Sequence, residues 1–577
     1  MKNQVLSKFA STLVFVAGMG GMIASCGMQG GSGQAPEIGK SVALFDYFTY
    51  QGDDSFYKEN PLQGENSFYT PILPGWYSDP SICTNGEGDY FLVTSTFTYF
   101  PGVPIFHSRD LVNWKQVGHV LSRPSQLVNM VGQHVSGGIF APAISYNPHN
   151  KTYYMITTNV GAGNFYVKTQ DPFGEWSDPI RVPEVGGIDP SIFFDEDGKA
   201  YVVNNDDAPD FKAEYDGHRT IRVQEFDWKN DKMVGPRKII VNKGVHPEEK
   251  PIWIEGPHMY KINGKYYLMD AEGGTSVNHS EVIFRSDSPW GPFKAWERNP
   301  ILTQRHLSPN RPNPITCAGH ADLVQAAEGD WWAVFLACRP INNRFENLGR
   351  ETFLLPVEWS EDGFPIITQG DEVVPMIQCR KGVKRGENVT FGNFSVSEEF
   401  GDSILDMQWM TLRGPATDLY SLTETPGYLT LKCGEKSSKE RDVPALVCRR
   451  MQHHEFQTET RMYFNPESAE EKAGLLLFKD EFHQYFMAVS QSENGRQITL
   501  TQIGREDKVL ATNPVPADAT CFDLKVVSKG LTYDFLYSID KGKEWKSLCD
   551  NVDAGYLSTA VAGGFTGTTI ALYATKK

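Results

Sequence analysis

Apolar and polar residues alternate in short runs along most of this chain, and five stretches share one arrangement. In each, a short polar or small-residue segment is followed 11 or 12 residues later by a pair containing an aromatic residue, with turn-forming residues between them. Each stretch predicts a strand, a hairpin turn and a second strand, because Asn-Gly and Asp-Gly favour tight turns. The five segments begin at Asp79, Ala141, Asp189, Glu255 and His320.

The spacing of these segments predicts a repeat architecture. Their starts are roughly 48 to 66 residues apart, which is enough for a four-stranded antiparallel unit. We therefore expect an all-β protein in which residues 41–380 form a five-bladed β-propeller. The innermost strands of a propeller line its central channel, so the five equivalent positions are expected to point toward a common funnel.

The repeat ends near residue 380, and a different pattern follows. Residues 381–391 are polar, basic and contain glycine, as is typical of a linker. From 392 to 577, segments such as YLTLKC, AGLLLF and FDLKVVS alternate apolar and polar residues between turns, which predicts an antiparallel β-sandwich. Such a sandwich serves either as a sugar-binding module or as a structural partner, and the pattern does not separate the two.

The N-terminus resembles an export signal. Lys2 and Lys8 precede the apolar run TLVFVAGMGGMIA, which ends at Ser25-Cys26. This is typical of a lipoprotein signal peptide, here residues 1–25, cleaved before a cysteine that then carries the lipid. The run is too short and glycine-rich for a transmembrane helix. We expect an exported protein anchored to a membrane by lipid on Cys26, with residues 26–40 as a flexible tether.

Charge and cysteine content exclude some functions. The formal net charge of −17 argues against nucleic acid as a partner. The eight cysteines after Cys26 are scattered without metal-ligand spacing, so buried free thiols are expected.

Three of the five funnel positions are carboxylates, and their convergence points to hydrolysis. Cleavage of a glycosidic bond needs one carboxylic acid to protonate the leaving oxygen and one carboxylate to activate water or attack. Glu255 is flanked by Trp253, Ile254 and Pro257, a setting that raises the pKa of a carboxyl group. Asp79 and Asp189 lie in polar Asp-Pro-Ser turns and are expected to be ionised; spacing alone leaves open which is the base.

The chain resembles glycoside hydrolase family 43, in the β-xylosidase-like group with a concanavalin-like C-terminal sandwich. The resemblance covers residues 70–577 and rests on an ordered set of motifs. It implies an inverting mechanism with Asp79 as general base, Glu255 as general acid, and Asp189 orienting the acid and raising its pKa. In such enzymes acid and base stand about 6.5–9.5 Å apart. The motifs are PILPGWYSDPSI, GGIFAPAISY, GIDPSIFFDEDGKAY, EGPHMYKINGKYYLMDAEGGT, NHSEVIFRS, GHADLV and LGRETFLLPVEW.

The same resemblance suggests further site residues. Arg339 matches an arginine that binds sugar hydroxyls beside the base, and His279 matches a histidine near the acid. No cofactor is required, although a central histidine in some relatives binds water or calcium, which makes His320 a candidate ligand. Phe97 and Phe140 are expected to wall the sugar pocket, with Phe140 where such enzymes commonly carry Trp. A loop of the sandwich is expected to close the pocket and make the enzyme exo-acting.

The leading functional hypothesis is release of terminal xylose from β-1,4-xylo-oligosaccharides. The nearest alternative is an α-L-arabinofuranosidase, because the two sugars present similar hydroxyl patterns. A hypothesis of another class is a non-catalytic glycan-binding lipoprotein, which has no need of three clustered acids. A fructan hydrolase is disfavoured, since the Trp-Met-Asn-Asp-Pro type of motif is missing.

Overall fold

A computed structural model describes residues 35–577, and within them β-strands dominate. The expected signal peptide and Cys26 lie outside the described residues. None of the described helices has the length and apolar character needed to cross a membrane. The helices are the α-helical turns Ser55–Glu59 and Thr559–Ala562 and the 3₁₀ turns Pro124–Gln126, Pro209–Phe211, Pro247–Glu249 and Ala554–Leu557.

Five antiparallel sheets follow one another along residues 81–366, and each begins with one of the predicted hairpins. The first sheet contains Ser81–Thr84, Tyr90–Val93, Gly102–Ser108 and Lys115–Leu121, and the second Ile139–Asn147, Thr152–Asn159, Gly163–Thr169 and Ile180–Arg181. The third contains Ile188–Phe194, Ala200–Asp207, Arg219–Asp227 and Lys232–Asn242. The fourth contains Glu255–Ile262, Lys265–Glu272, Ser280–Ser286, Lys294–Ala295 and Leu302–Thr303, and the fifth Thr316–Gln325, Trp331–Cys338, Glu351–Trp359 and Pro365–Ile366.

The first strands of these sheets are joined side by side in a closed ring. Each is linked to the next by a hydrogen bond that involves a buried or half-buried side chain, and the fifth is linked back to the first. This is the arrangement of a β-propeller, as predicted. The links are Ile144 N–H to Ser81, Ser145 to the Ile192 carbonyl, Ser191 to the Pro257 carbonyl, Tyr260 to Asp322, and Ser81 to Asp322.

The C-terminal region forms two antiparallel sheets that enclose one large apolar core, which confirms the predicted sandwich. One sheet contains, in spatial order, Tyr420–Ser421, Leu429–Lys432, Val42–Gly52, Glu455–Phe464, Cys521–Lys529, Thr532–Ser538 and Lys546–Asp553, with Ser395–Glu398 also paired to Val42–Gly52. The other contains Leu446–Arg450, Thr569–Thr575, Lys472–Asp480, His483–Ser492, Gly495–Ile503 and Lys508–Pro514.

One predicted boundary is wrong. The propeller was expected to begin at residue 41, but the strand Val42–Gly52 pairs with Leu429–Lys432 and Glu455–Phe464 of the sandwich. Ala43, Phe45 and Phe48 from this strand are buried in the sandwich core. An apolar strand is stabilised by whichever sheet offers a free edge and a buried face, and sequence order does not decide this.

The sandwich also contacts the chain just before the first repeat. The buried Arg450 guanidinium lies 4.1 Å from the ring centroids of both Trp76 and Tyr77, and it donates to the Trp76 carbonyl at 3.0 Å. Short strands pair across the same junction: Tyr99–Phe100 with Thr411–Leu412. A further pair, Ser67–Tyr69 with Met376–Gln378, closes the N- and C-terminal ends of the propeller region.

Candidate active site

The repeat positions converge on one narrow cavity at the propeller centre. Its lining includes Asp79, Ala141, Asp189 and His320, as the repeat predicts. In the fourth sheet, however, the lining begins at Gly256 and does not include Glu255. The register read from sequence is therefore wrong by one residue in this sheet, and Glu255 lies one position before the channel lining.

A local irregularity of the backbone turns these residues toward the centre. The pairing of the first and second strands is interrupted at the repeat position in the second to fifth sheets. Asp79, Asp189, Gly256 and His320 all have φ between 52° and 59°, the left-handed region. A bulge of this kind re-aims side chains at the expense of regular pairing, and strained backbone of this type clusters at functional sites.

Asp79 is held by one hydroxyl donor and one guanidinium cation, with a histidine ring nearby. The Ser95 hydroxyl donates to Asp79 Oδ2 at 2.6 Å, and Arg350 Nη1 lies 3.3 Å from Oδ1. His320 Nδ1 is 3.8 Å from the same oxygen. Burial alone would raise the pKa of Asp79, but Arg350, His320 and Ser95 outweigh it and the pKa is lowered. This carboxyl group is therefore ionised at neutral pH.

Glu255 has the opposite surroundings. Burial, followed by the charge of Asp189, raises the pKa of Glu255, and its carboxylate has no hydrogen-bond partner within residues 35–577. Among the described residues, Asp189 accepts a hydrogen bond only from the Gly256 N–H, at 3.2 Å, and burial together with Asp79 raises its pKa as well. Asp189 is therefore less readily ionised than Asp79, although the two were expected to be alike, and Glu255, whose pKa is the higher of the pair, keeps the proton. The Asp189–Glu255 pair retains a proton near neutral pH because two adjacent carboxylates repel one another.

Arg350 is a site residue that the sequence reasoning missed. It immediately precedes the strand Glu351–Trp359, and its guanidinium also donates to Thr275 Oγ1 at 2.7 Å. The motif LGRETFLLPVEW contains it, and a cation at the start of a buried strand is the signal that could have identified it.

Arg339 was predicted to lie beside the base, and this is wrong. Its guanidinium forms two hydrogen bonds of 2.7 Å with Glu351 and one of 3.1 Å with Tyr57. It lines a separate cavity, together with Asp54 and Tyr57. A buried guanidinium needs a paired carboxylate, and Glu351 is already directed toward Arg339, so Arg339 does not act on Asp79.

The two predicted histidines lie at different depths of the site. His279 is buried, and its Nδ1 is 2.9 Å from the Cys317 carbonyl, while Nε2 has no partner among the described residues. His279 contributes to lowering the pKa of Asp79, which places it close to the proposed base. His320 lines the channel, and burial lowers its pKa to about 4. Both histidines are therefore neutral at pH 7.

Calcium at His320 stays a prediction. Within residues 35–577, no cluster of three histidine, cysteine or carboxylate ligands close enough to share an ion includes His320. Asp322, two residues further along the same strand, is already bonded to Ser81 and Tyr260. Calcium prefers six to eight oxygen ligands, so water would supply most of them here.

Three phenylalanine rings pack together beside Arg350. Phe97 and Phe140, both predicted to wall the pocket, have ring centroids 5.9 Å apart. Phe565, from the sandwich, lies 6.2 Å from Phe97 and 5.7 Å from Phe140. The Arg350 guanidinium is 5.0 Å from the Phe565 ring centroid. Phe97 is almost fully buried, so Phe140 and Phe565, which are partly exposed, are the rings available to a ligand.

The loop that carries Phe565 is fixed to the propeller. Phe565 N–H donates to Ser136 Oγ at 2.9 Å, and neighbouring Gly567 leaves no room for a Cβ atom beside Leu348 and Trp76. A loop of the sandwich therefore reaches Arg350, and Phe565 is the residue that sequence reasoning could not select.

Family models match both regions of the chain. The model of glycosyl hydrolases family 43 matches residues 68–365. The model of the beta xylosidase C-terminal concanavalin A-like domain matches residues 397–577.

Similar proteins cover nearly the whole chain. A xylosidase/arabinosidase of Butyrivibrio fibrisolvens is 38% identical over 87% of this chain and 95% of its own length. A non-reducing end alpha-L-arabinofuranosidase of Bacteroides ovatus is 36% identical over 89% and 92%. Among solved structures, a GH43_12 protein retrieved from a capybara gut metagenome has a TM-score of 0.86 and 42% identity, covering 92% of this chain and 99% of that one. The chain therefore belongs to glycosyl hydrolase family 43 and is a glycosidase of the xylosidase/arabinosidase type, acting on O-glycosyl bonds.

Proposed function

We propose that this enzyme releases terminal xylose from β-1,4-xylo-oligosaccharides with inversion of configuration. The observation that carries this proposal is the different surroundings of two carboxyl groups in one site: Ser95 and Arg350 contact Asp79 and lower its pKa, whereas burial and Asp189 raise the pKa of Glu255. Inverting hydrolysis needs this combination, a base on one side of the sugar and an acid on the other. The roles are general base for Asp79, general acid for Glu255 and pKa modulator for Asp189.

The proposed reaction is a single displacement. The Asp79 carboxylate removes a proton from a water molecule, and the water oxygen attacks the anomeric carbon. The bond from that carbon to the leaving oxygen breaks as Glu255 transfers its proton to this oxygen. Asp79 then holds the proton taken from water, and Glu255 is left as the anion. Exchange of protons with solvent restores both groups.

Asp189 supports this step through Glu255. Its negative charge is, after burial, the largest influence that raises the pKa of Glu255. The Gly256 N–H donates a hydrogen bond to Asp189 Oδ2. Because Gly256 directly follows Glu255, this hydrogen bond fixes the backbone next to Glu255 relative to Asp189. Arg350, 3.3 Å from Asp79, is suited to hold a sugar hydroxyl beside the base.

The exo mode of action is supported by the wall of the site that the sandwich supplies. Phe565 packs against Phe97 and Phe140 and stacks under Arg350. A chain end fits against such a wall, whereas an internal sugar needs an open cleft on both sides. Xylotriose should therefore release xylose from its non-reducing end, and the appearance of internal cleavage products would contradict this mode.

α-L-Arabinofuranosidase activity is the second candidate, favoured by the names of two relatives that are 38% and 36% identical. Turnover of aryl β-xyloside and aryl α-arabinofuranoside by the same enzyme preparation separates the two. We expect the xyloside to have the higher kcat/KM. An arabinofuranoside preference of tenfold or more would reverse the order of the two candidates.

Stereochemistry tests the mechanism independently of the sugar. Proton NMR of the first product should show the inverted anomer, which for a β-xyloside is α-xylose, before mutarotation. Appearance of the retained anomer first would remove Asp79 from the role of general base.

We also propose that the protein is exported and anchored through lipid on Cys26, which the sequence around Ser25-Cys26 supports. Metabolic labelling with a radioactive fatty acid should mark the wild type and not Cys26→Ser. Equal labelling of the two would contradict the anchor.

A further inference from the structure

A compact group of two thiols and one carboxylate lies outside the catalytic pocket. Cys317 is on the first strand of the fifth sheet, Cys338 ends the second strand, and Glu346 follows in the next loop. One ligand atom from each, Sγ or a carboxylate oxygen, lies within 4.8 Å of the other two. Both cysteines are almost fully buried, and Glu346 is partly exposed, which leaves one side open for entry.

An irregularity of the sheet brings these side chains together. Thr316 pairs with Cys338, and the register then shifts before Gly319 pairs with Leu336. Cys317 lies within this shift and has φ of +58°, which is uncommon for a residue other than glycine. In a regular ladder Cys317 and Cys338 would not be directly opposite each other. The bulge places the Cys317 thiol 3.5 Å from Glu346 Oε1, to which it donates a hydrogen bond.

We propose that Cys317, Cys338 and Glu346 form a binding site for a thiophilic divalent cation of the Zn²⁺ class. Two sulfur ligands and one carboxylate leave the fourth tetrahedral position to water. With metal–sulfur bonds of about 2.3 Å, tetrahedral geometry puts two sulfur ligands about 3.8 Å apart. The present spacing, within 4.8 Å for all three ligand atoms, needs only small side-chain movements to reach this geometry.

The charge of the ligand set requires a cation. Two thiolates and a carboxylate carry three negative charges, which a buried position tolerates only when they are compensated. A divalent cation supplies two of the compensating positive charges. Binding releases the two thiol protons to solvent, and no oxidation or reduction takes place.

The test uses Cd²⁺ as a spectroscopic probe of the reduced protein, in a Cys26→Ser background that removes the N-terminal thiol. Titration should give an ultraviolet sulfur-to-metal charge-transfer band that saturates at one equivalent, and Zn²⁺ should abolish it by displacing Cd²⁺. This readout does not require glycosidase activity, so its failure is distinguishable from failure of the proposed function.

Three variants assign the ligands. Cys338→Ser should weaken Cd²⁺ binding at least tenfold and reduce the band, because one sulfur ligand is lost. Glu346→Gln should weaken binding while the band per bound metal stays the same, because both sulfur ligands remain. Cys549→Ser, at a half-buried cysteine of the sandwich, is the matched control and should behave as wild type.

Circular dichroism and the thermal midpoint verify that each variant is folded. Absence of the band in folded wild type, or an unchanged titration of folded Cys338→Ser, would overturn the proposal. So would mass-spectrometric detection of a Cys317–Cys338 disulfide that resists mild reduction, since linked sulfurs cannot bind the cation as thiolates.

Discussion

The surroundings of Asp79 and Glu255 differ although both residues lie at the centre of the same propeller. Asp79 is contacted by the Ser95 hydroxyl, by Arg350 and by His320, and its pKa is lowered. Glu255 has no hydrogen-bond partner within residues 35–577, and burial and Asp189 raise its pKa. Burial raises the pKa at both positions, so the difference comes from where donors and cations are placed. One repeat can therefore supply an acid and a base when its neighbours differ.

The two residues also differ in their place on the strand. Asp79 lines the central cavity, whereas Glu255 lies one residue before the lining residue Gly256. A shift of one residue turns a strand side chain to another direction. The offset therefore directs the Glu255 carboxyl group differently from a side chain at the lining position.

Removing the base gives the largest expected effect. Asp79→Asn preserves the size of the side chain but eliminates the proton acceptor, so kcat/KM should fall about 10⁴-fold. The loss should be similar for good and poor leaving groups, because activation of water is needed in both cases. Steady-state kinetics with an aryl xyloside and with xylobiose measure this. A loss smaller than tenfold for both substrates would contradict a base at Asp79.

Removing the proposed acid should affect substrates with poor leaving groups much more than substrates with good leaving groups. Glu255→Gln should lower kcat/KM about 10²–10³-fold for xylobiose, whose leaving oxygen needs a proton, and much less for an activated aryl xyloside. Sugar binding, measured by calorimetry with xylose, should be nearly unchanged. Unchanged turnover of xylobiose in this variant would remove Glu255 from the role of general acid.

The variant Arg350→Gln tests whether this arginine lowers the pKa of Asp79. Arg350→Gln removes the nearest cation, so the pKa of Asp79 should rise and the acid limb of the kcat/KM profile should move to higher pH. The activity loss at neutral pH should be about 10–100-fold, a value expected for loss of one charged hydrogen-bonding group.

Arg339→Gln is the matched control, because Arg339 pairs with Glu351 elsewhere. This variant should lower the thermal midpoint and leave the acid limb in place. A shift of the acid limb in Arg339→Gln, and none in Arg350→Gln, would restore the prediction that Arg339 is the arginine beside Asp79.

The pH profile of the wild-type enzyme should reflect the different pKa values of Asp79 and Glu255. Activity requires Asp79 without its proton and Glu255 with its proton. It should therefore rise as pH passes the lowered pKa of Asp79 and fall above the pKa of Glu255, raised to about 8. Above that value kcat/KM should decrease about tenfold per pH unit. An alkaline limb near pH 5 in the wild type would show that Glu255 is not the group whose proton is used.

The smallest expected effect concerns the wall supplied by the sandwich. Phe565→Ala removes a ring beside Phe140 and Arg350, and we expect kcat/KM to fall about fivefold, mainly through KM, since an aromatic contact contributes about 1 kcal/mol. Phe173→Ala, at a half-exposed ring of the propeller, should leave the kinetics unchanged. Equal effects of the two variants would remove Phe565 from the site.

The sequence alone determined the all-β class, the five hairpins and the two regions, because these depend on local periodicity and on turn residues. It also identified Asp79 and Asp189, since carboxylates at repeat positions meet where equivalent strands meet, and it placed Glu255 within one residue of its repeat position. Asp189 and Glu255 could be distinguished from Asp79 only through their neighbours, however, and most of those neighbours are distant in the sequence.

Tertiary structure decided everything that depends on which distant groups meet. The strand Val42–Gly52 joins a sheet whose other strands begin only at Ser395, Arg350 rather than Arg339 reaches Asp79, and Phe565 reaches the pocket from the sandwich. Both arginines lie at the ends of neighbouring strands and are locally alike. What separates them is the carboxylate each one faces, Glu351 or Asp79, and only packing in three dimensions determines that choice.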